Sequence, residues 1–447
     1  MTVHLNIRQY LLRGGAWAFA GKVLTALMGL ALSALLARLL SPEDMGVYFL
    51  VFNLATFFSI FARMGLENTL LRFISEALTR NQFNRARTVI SKGLQLVVLS
   101  TIIVAIIVYL GVSPWLAQYL FKSNIPEAVF AFLVIWLILL AFQFLFAEIF
   151  RAFHDIRMAV LSGGLLTSVV TVIFITFYML MKGHAELSQV LPWILLAGIL
   201  NIAIAIWMMT KKLHVLKFST RDNSVNYSEL ANHSWPMLIN AVTLFILSQS
   251  DIWILAAFRS DDEVAVYGAA ARLVLLTGMA LSIVNAVVPP LIAHMNVQNK
   301  KKQLERILRT AATFAALPSL LVLSVFMFFG SWVLEIIFGG YYRTGGTILM
   351  IFSIGQVVNV LVGSCGYTLV MMGYRRTVML ISLFSAAIAL GSGLIFVRSY
   401  GAVGLACGFV FALIVQQLAM LVFARYRCGI WTHAGIRYLA VPMSISK

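Results

Sequence analysis

Charged residues are scarce in this sequence, because Asp, Glu, Lys and Arg together make up 11% of its 447 residues. Soluble globular chains carry about 25%. The low content excludes an ordinary soluble protein, and a hydrophobic fraction of 61% with a mean hydropathy of +0.95 indicates a membrane protein. Apolar runs of about 20 residues recur along the chain, and each is long enough to cross a hydrocarbon core of about 30 Å as a helix.

Cysteine and histidine are also few. The three cysteines lie in or beside late apolar runs, which excludes a disulfide framework. The seven histidines are scattered and show no metal-site spacing. No glycine-rich phosphate loop or nucleophile motif stands out. We therefore expect no metal and no bound cofactor.

The apolar runs predict an all-α integral membrane protein, because lipid requires every backbone polar group to be satisfied within its own segment. Twelve spans are predicted, at 15–37, 46–62, 93–112, 127–149, 158–181, 189–209, 237–257, 268–292, 310–330, 346–370, 378–397 and 402–424. The first run lacks a clear small-residue cleavage site, so we expect a retained helix rather than a signal peptide.

Basic residues outnumber acidic ones by 33 to 16, an excess that would suggest nucleic-acid binding in a soluble protein. Here 25 of the 33 fall in the terminal segments and in every second connection, against six in the alternate connections. This alternation follows the positive-inside rule and predicts that both termini are cytoplasmic. We expect anionic phospholipids, and not nucleic acid, to contact the basic connections.

A short polar turn occurs twice, 219 residues apart. Ser41, Glu43, Asp44, Val47 and Tyr48 align with Ser260, Asp262, Glu263, Val266 and Tyr267. The same shift aligns RAFHDIRMAVL, from Arg151, with VMMGYRRTVML, from Val370. This agreement indicates duplication of a six-helix unit, whose even number of spans keeps the repeats parallel. We predict two six-helix lobes, 1–215 and 237–447, joined by a cytoplasmic linker at 216–236, with Ser and acidic residues capping the helix after each turn.

Four stretches, in order along the chain, carry a family resemblance: LARLLSPEDMGVY, QSDIWILAAFRSDDEVAVYGAAARL, VVPPLIAHMNVQNKKKQLERIL and LEIIFGGYYRTGGTILMIFSIGQV. The sequence resembles the polysaccharide transporter (oligosaccharide flippase) family of the multidrug/oligosaccharidyl-lipid/polysaccharide superfamily. This resemblance implies two lobes around a central cavity in a bacterial inner membrane. It also implies movement of undecaprenyl-diphosphate-linked sugar repeat units, as in O-antigen or lipopolysaccharide synthesis, to the periplasmic leaflet, where polymerase machinery would be a partner.

Four ionisable residues fall within the predicted spans: Lys22, Glu148, Asp251 and Arg272. Each would cost about 2.5–3.5 kcal/mol at the bilayer centre, so each needs a partner, water or a function. Similar depth predicts two ion pairs, Asp251 with Arg272 and Lys22 with Glu148. The alternative is that Lys22 and Arg272 bind the substrate diphosphate, since the resemblance implies basic residues in the first and eighth helices.

Other residues of the predicted site follow from the repeat and from helix geometry. Asn53 is related to Arg272 by the 219-residue shift, so a symmetric basic pair is broken at that position, which we include in the predicted cavity. Asp251 is a candidate for coupling transport to a proton or sodium gradient, or a member of a structural polar seam. Glu148 is expected to be interfacial because Arg151 follows it. Pro289 and Pro290 are predicted to kink the eighth span, as a gate or a static bend.

Four local features carry further expectations. Ser234, ahead of Pro236, is predicted to cap the seventh span. Gly401, Gly404 and Gly408 are predicted to allow close helix packing. The stretch 66–80 is predicted to form an amphipathic helix on the membrane surface, and KKKQLERILR, after the eighth span, a similar and more basic one.

Three other functions compete with a flippase. A cation-coupled multidrug exporter belongs to the same superfamily, but the basic balance inside the membrane disfavours cationic drugs. A membrane enzyme usually carries a sizeable outer loop, and the longest predicted outer connection here, 331–345, is short. A passive scaffold would not require ionisable groups in its spans. We therefore expect a transporter and not an enzyme.

Overall fold

The computed structural model describes residues 7–119, 127–182, 184–215, 225–282, 284, 285, 288, 292, 295, 298, 300–435 and 437. Within these residues the chain is helical and has no β-strand, which confirms the predicted all-α class. Pro289 and Pro290 lie outside the described residues, so the kink in the eighth span stays a prediction.

The chain divides into two compact units, Met1–Ser250 and Asp251–Lys447. The α-helices that begin in the first unit are α1 Ile7–Leu39, α2 Pro42–Arg63, α3 Leu66–Thr79, α4 Phe83–Ile106, α5 Ser113–Tyr119, α6 Glu127–Ala152, α7 Ile156–Val160, α8 Leu166–Lys182, α9 Leu187–Val215 and α10 Tyr227–Phe258. Those of the second unit are α11 Asp261–Thr277, α12 Lys301–Phe338, α13 Gly346–Val362, α14 Cys365–Met371 and α15 Arg375–Phe423. The division falls inside α10, and the predicted lobe limits stay a prediction.

Nine helices in the described part of the chain are long and apolar enough to cross a membrane, and α10, bent by 53°, adds a tenth. Helix α15 has 49 residues and contains a break at Gly401, where φ is 59° and ψ is −143°. A straight helix of that length would extend about 74 Å, more than twice the hydrocarbon core, so α15 supplies two spans. The spans predicted at 378–397 and 402–424 meet at this break.

Each polar turn of the repeat contacts the connection between the last two spans of its own unit. In the first unit, the Leu187 backbone N–H donates to Oδ2 of Asp44 at 3.2 Å. In the second, Arg259 donates through Nε to the Val397 carbonyl and through Nη2 to the Arg398 carbonyl, both at 3.1 Å. Equivalent connections therefore meet in both units, as expected of a duplicated helix bundle.

The predicted caps are confirmed in one turn and partly in the other. Ser41 is the N-cap of α2, and its hydroxyl accepts from the Asp44 backbone N–H at 3.1 Å. Ser260 holds the equivalent position before α11 with extended backbone but makes no side-chain cap bond. Acidic residues occupy the first turn of both helices, where the helix dipole stabilises them.

Two predictions about helix ends are wrong. Helix α10 begins at Tyr227, so Ser234 and Pro236 lie inside it. The Ser234 hydroxyl donates to the Leu230 carbonyl at 2.8 Å, and a proline within a membrane helix is tolerated where neighbours satisfy the freed backbone groups. KKKQLERILR is not a separate surface helix, since from Lys301 it forms the first turns of α12.

The amphipathic helix predicted at 66–80 is confirmed as α3, but its apolar face lies in the protein. Leu66, Leu70 and Ile74 are fully buried and pack in a core with Ile149 and Phe150 of α6. The four-residue spacing identified the face. It did not distinguish a lipid surface from a protein core, because both are apolar.

The predicted close packing at the glycines of the last span is confirmed. A Cβ at Gly404 would lie 2.5 Å from the Phe396 carbonyl oxygen, and one at Gly408 would lie 2.7 Å from the Ser392 hydroxyl. The two segments of α15 therefore approach more closely than any larger residue would permit.

Candidate functional site

Asp251 is bound by its own unit. The Tyr267 hydroxyl donates to Oδ2 of Asp251 at 2.9 Å, and the Ile252 backbone N–H donates to Oδ1 at 3.0 Å. Tyr267 is fully buried and packs edge-to-face on Phe352 of α13, with ring centroids 5.1 Å apart. The carboxyl group thus links the end of α10 to α11.

The predicted Asp251–Arg272 ion pair is not formed among the described residues. Tyr267 and Arg272 are five residues apart on α11, which places them about 140° apart around the helix axis. Since Tyr267 faces Asp251, Arg272 faces another direction and is partly buried there. Similar depth was therefore not sufficient to bring the two charges together.

The predicted Lys22–Glu148 ion pair is also not formed among the described residues. Oε1 of Glu148 lies 2.6 Å from Nη1 of Arg151, three residues on in the same helix. Lys22 is exposed on the surface of α1, and it belongs to none of the ion pairs found in the described part of the chain. Its ammonium group is left to solvent, headgroups or a ligand.

A buried charge cluster lies near Glu148. Arg63, at the end of α2, is 8% exposed, and its guanidinium donates to the Ser59 carbonyl and contacts Oε1 of Glu67 at 3.3 Å. The same guanidinium lies 4.7 Å from the centre of the Phe144 ring. The second carboxylate oxygens of Glu67 and Glu148 are buried and accept no hydrogen bond from the described residues. The cluster concentrates charge at one end of the first unit.

Asn53, on α2, is only 3% exposed. Its Nδ2 donates to Oε1 of Gln249 at 3.2 Å and to the Gln249 carbonyl at 3.4 Å, while its Oδ1 is buried and has no donor among the described residues. In this arrangement Asn53 positions Gln249 and presents little surface. Its predicted place in the binding cavity stays a prediction.

Three carboxamide side chains are hydrogen-bonded one to the next within the second unit. We call these residues, Gln356, Asn359 and Gln417, the amide row. Nε2 of Gln417 donates to Oδ1 of Asn359 at 2.9 Å, and Nδ2 of Asn359 donates to Oε1 of Gln356 at 3.2 Å. The Cys365 thiol donates to Oε1 of Gln417 at 3.4 Å. The amide row therefore joins α13 to α15, and the Cys365 thiol adds α14. These contacts lie beside Gly363, where φ is 73° and the chain breaks between α13 and α14.

A second polar cluster lies inside the first unit. Gln143 on α6 accepts through Oε1 from the Thr167 hydroxyl at 2.9 Å and from Nδ2 of Asn201 at 3.4 Å. Asn201 also donates to the Ser162 carbonyl at 3.0 Å, within a π-helical segment, Leu161–Leu165, that contains Gly164 at a φ of 130°. Gln143 and Asn201 are both buried. This cluster joins α6, α8 and α9.

The amide row was not among the residues predicted from the sequence. The signal was present, because Gln356 and Asn359 are three residues apart in an apolar run and Gln416–Gln417 interrupts another. Carboxamides carry no formal charge, so the search for charged residues within the spans does not detect them. Carboxamides also seek partners inside a membrane, since each carries two donors and an acceptor.

Family comparison identifies the chain. A family model described as polysaccharide biosynthesis protein matches residues 11–296, more than half of the sequence. The chain belongs to this family. A second model, described as MatE, matches residues 236–395. The family resemblance predicted from the sequence is confirmed.

Individual relatives are distant but cover most of the chain. A curated relative, the probable low-salt glycan biosynthesis flippase Agl15 of Haloferax volcanii, is 24% identical over 83% of this chain and 74% of its own length. An inward-facing multidrug resistance MATE family transporter of the MOP superfamily has a TM-score of 0.71 at 16% identity, covering 91% of this chain and 94% of its own. The lipid II flippase MurJ, in an inward closed conformation, has a TM-score of 0.65 at 16% identity, covering 91% and 87%. The chain shares its fold with these two transport proteins.

Proposed function

We propose that this protein is a flippase that moves an undecaprenyl-diphosphate-linked oligosaccharide from the cytoplasmic to the periplasmic leaflet of a bacterial inner membrane. Membership of the polysaccharide biosynthesis family supports a glycan substrate, and the similarity to the flippases Agl15 and MurJ supports a lipid-linked one. The activity is transport and not catalysis. We propose that transport proceeds by alternating access, and Pro289 and Pro290 stay predicted as a kink that serves gating or is a static bend.

The single observation that carries the proposal is that Lys22 is exposed and forms no ion pair with the described residues. It lies on a membrane helix, it is exposed, and Glu148, its expected counter-ion, is paired with Arg151. An ammonium group in a span needs water or an anionic ligand. We propose that the diphosphate of the lipid carrier is an anion that Lys22 binds, and we propose Arg272 in the second unit, on its own account, as a residue that binds diphosphate.

Asp251 is proposed as the coupling residue for a proton or sodium gradient. Its carboxyl group accepts hydrogen bonds from Tyr267 and Ile252 in the second unit and does not pair with the charge of Arg272. A cation that binds there would compete with the tyrosine hydroxyl for Oδ2. Binding would loosen the contact between α10 and α11.

Reconstituted transport tests the proposal. Proteoliposomes would be loaded with an undecaprenyl-diphosphate oligosaccharide on one leaflet, and its appearance on the other would be measured for wild type, Lys22→Ala and Arg272→Ala. Lys302→Ala is the matched control, because Lys302 is exposed in the first turn of α12. We expect both test variants to lose at least tenfold in rate and the control to keep it. Equal rates for all proteins would overturn the diphosphate assignment.

A cation-coupled multidrug exporter is the second candidate, favoured by the match of residues 236–395 to the MatE model. Efflux of ethidium from the same vesicles distinguishes the two. Dye efflux without movement of any lipid-linked sugar would replace the flippase proposal with this one.

A further inference from the structure

We propose that Gln356 contacts the glycan directly, as the exposed end of the amide row, and donates its amide hydrogens to an uncharged oxygen of the sugar. This assignment rests on the proposed flippase function. It adds a recognition site for the sugar, in the second unit, to the diphosphate contacts proposed above.

The amide row has a direction. Cys365 donates to Gln417, Gln417 donates to Asn359, and Asn359 donates to Gln356. Each carboxamide carbonyl accepts from its predecessor. Hydrogen bonds aligned in this way polarise one another, so the last amide becomes a better donor than an isolated one. The last amide is Nε2 of Gln356.

Nε2 of Gln356 is left without an acceptor. It donates to none of the residues that the structure describes, although it carries two hydrogens. The side chain is partly exposed. Nε2 packs against Gly278, at the end of α11, since a Cβ at that position would lie 2.7 Å from it. A polarised donor without an acceptor therefore ends on a partly exposed side chain beside the end of α11.

The exposed part of Gln356 does not face lipid. The exposed apolar residues of α13 are Met350, Ile354 and Leu361, which share one side of the helix. At 100° per residue, Gln356 lies about 140° and Asn359 about 160° around the helix from the centre of that stripe. Gln356 is also about 15 Å along α13 from its start at Gly346, near the middle of a 30 Å hydrocarbon core. Polar side chains at this depth face the protein interior or a water-filled cavity.

The chemistry of the row favours a sugar over a phosphate. Its members are neutral carboxamides, and no charged side chain hydrogen-bonds to them within the described residues. Phosphate is held best by charge-assisted bonds from Arg or Lys. A sugar hydroxyl or acetamido carbonyl, in contrast, matches a neutral amide donor without a desolvated charge. We therefore assign the row to the glycan.

Binding of two probes tests the assignment. The full-length protein in nanodiscs would be titrated with undecaprenyl diphosphate and with undecaprenyl-diphosphate N-acetylglucosamine, and Kd measured by calorimetry. For Gln356→Met we expect about a three- to tenfold weaker Kd for the glycosylated probe, the value of one neutral hydrogen bond, and no change for the bare one.

Gly278→Ala provides a second variant that leaves Gln356 in place. Its added methyl group displaces the end of a flexible side chain, and the backbone at Gly278 is helical, with φ at −75°, so the fold is retained. We expect the same selective loss for the glycosylated probe. Gly391→Ala in α15 is the matched control, because a Cβ there meets nothing within 4 Å.

The outcomes separate the two proposals. Equal weakening for both probes would assign Gln356 to the diphosphate and overturn the sugar assignment. Unchanged affinities in both variants, or a wild type that binds the two probes equally, would also overturn it while leaving the flippase function intact. A wild type that binds neither probe would refute both proposals.

Discussion

The Tyr267 hydroxyl donates to Oδ2 of Asp251 across a distance of 2.9 Å, and this bond joins the first helix of the repeated turn in the second unit to the helix that follows it. Asp251 and Tyr267 both belong to the QSDIWILAAFRSDDEVAVY stretch, so one sequence motif encodes both ends of the bond. The repeat has Tyr48 at the position of Tyr267, but the position of Asp251 is Leu32. The bond therefore belongs to the second unit alone.

Removing this hydrogen bond should destabilise the fold. We expect Tyr267→Phe to lower the free energy of unfolding by about 2 kcal/mol, the range of a hydrogen bond to an ionisable group. Asp251→Asn should cost less, because its amide oxygen still accepts. Denaturation in detergent measures both variants. The double variant should lose less than the sum of the two, and strict additivity would contradict a direct bond.

The charge of Lys22 should matter more than its shape. We expect Lys22→Arg to retain transport within about threefold and Lys22→Met to lose at least tenfold, about 1.4 kcal/mol of transition-state stabilisation. Met keeps most of the apolar stem and removes only the cation. The lipid-linked sugar assay described above measures the rates. If Lys22→Met transports normally, the side chain only anchors α1 at the headgroups.

Two arginine–glutamate pairs, each spaced four residues apart, should contribute very different amounts to the free energy of unfolding. Arg63–Glu67 has side chains 10% and 12% exposed, whereas Arg80–Glu76 has side chains 60% and 36% exposed. We expect Arg63→Ala to cost about 3 kcal/mol or more, because it leaves the buried Glu67 carboxylate uncompensated. Arg80→Ala, the control, should cost less than about 1 kcal/mol. Thermal unfolding in detergent checks the difference, and similar losses would show that the Arg63 cluster is solvated.

Gly401 should be irreplaceable. Its φ of 59° with ψ of −143° is a conformation that residues with a side chain avoid, and an added Cβ would lie 3.0 Å from Oε2 of Glu263. We expect Gly401→Ala to cost about 1–3 kcal/mol. Gly391→Ala, in the same helix with open space around it, should be neutral or stabilise by about 0.5–1 kcal/mol. Folded yield and melting temperature compare the two, and an unharmed Gly401→Ala would show that the break relaxes.

Local features were predictable from the sequence because local composition fixes them. Apolar runs located the spans, and Ser41 with its acidic neighbours located the start of α2. Features that depend on direction around a helix were not. Asp251 and Arg272 have similar predicted depths, yet Tyr267 and not Arg272 occupies the face of α11 that meets Asp251. The amide row is a tertiary contact between residues 356, 359 and 417, and no spacing rule links the last to the others.

The hydrogen bonds that close each polar turn onto the last connection of its unit differ between the two units. An acceptor, Asp44, closes the first unit on a backbone N–H, whereas a donor, Arg259, closes the second on two carbonyls. The two units therefore close the same connection with opposite polarity and through residues that the 219-residue shift does not align. A chimera that moved the turn of one unit into the other would bring Asp44 to a connection that offers carbonyls, or Arg259 to one that offers an N–H, so we expect such a chimera to lose this closure.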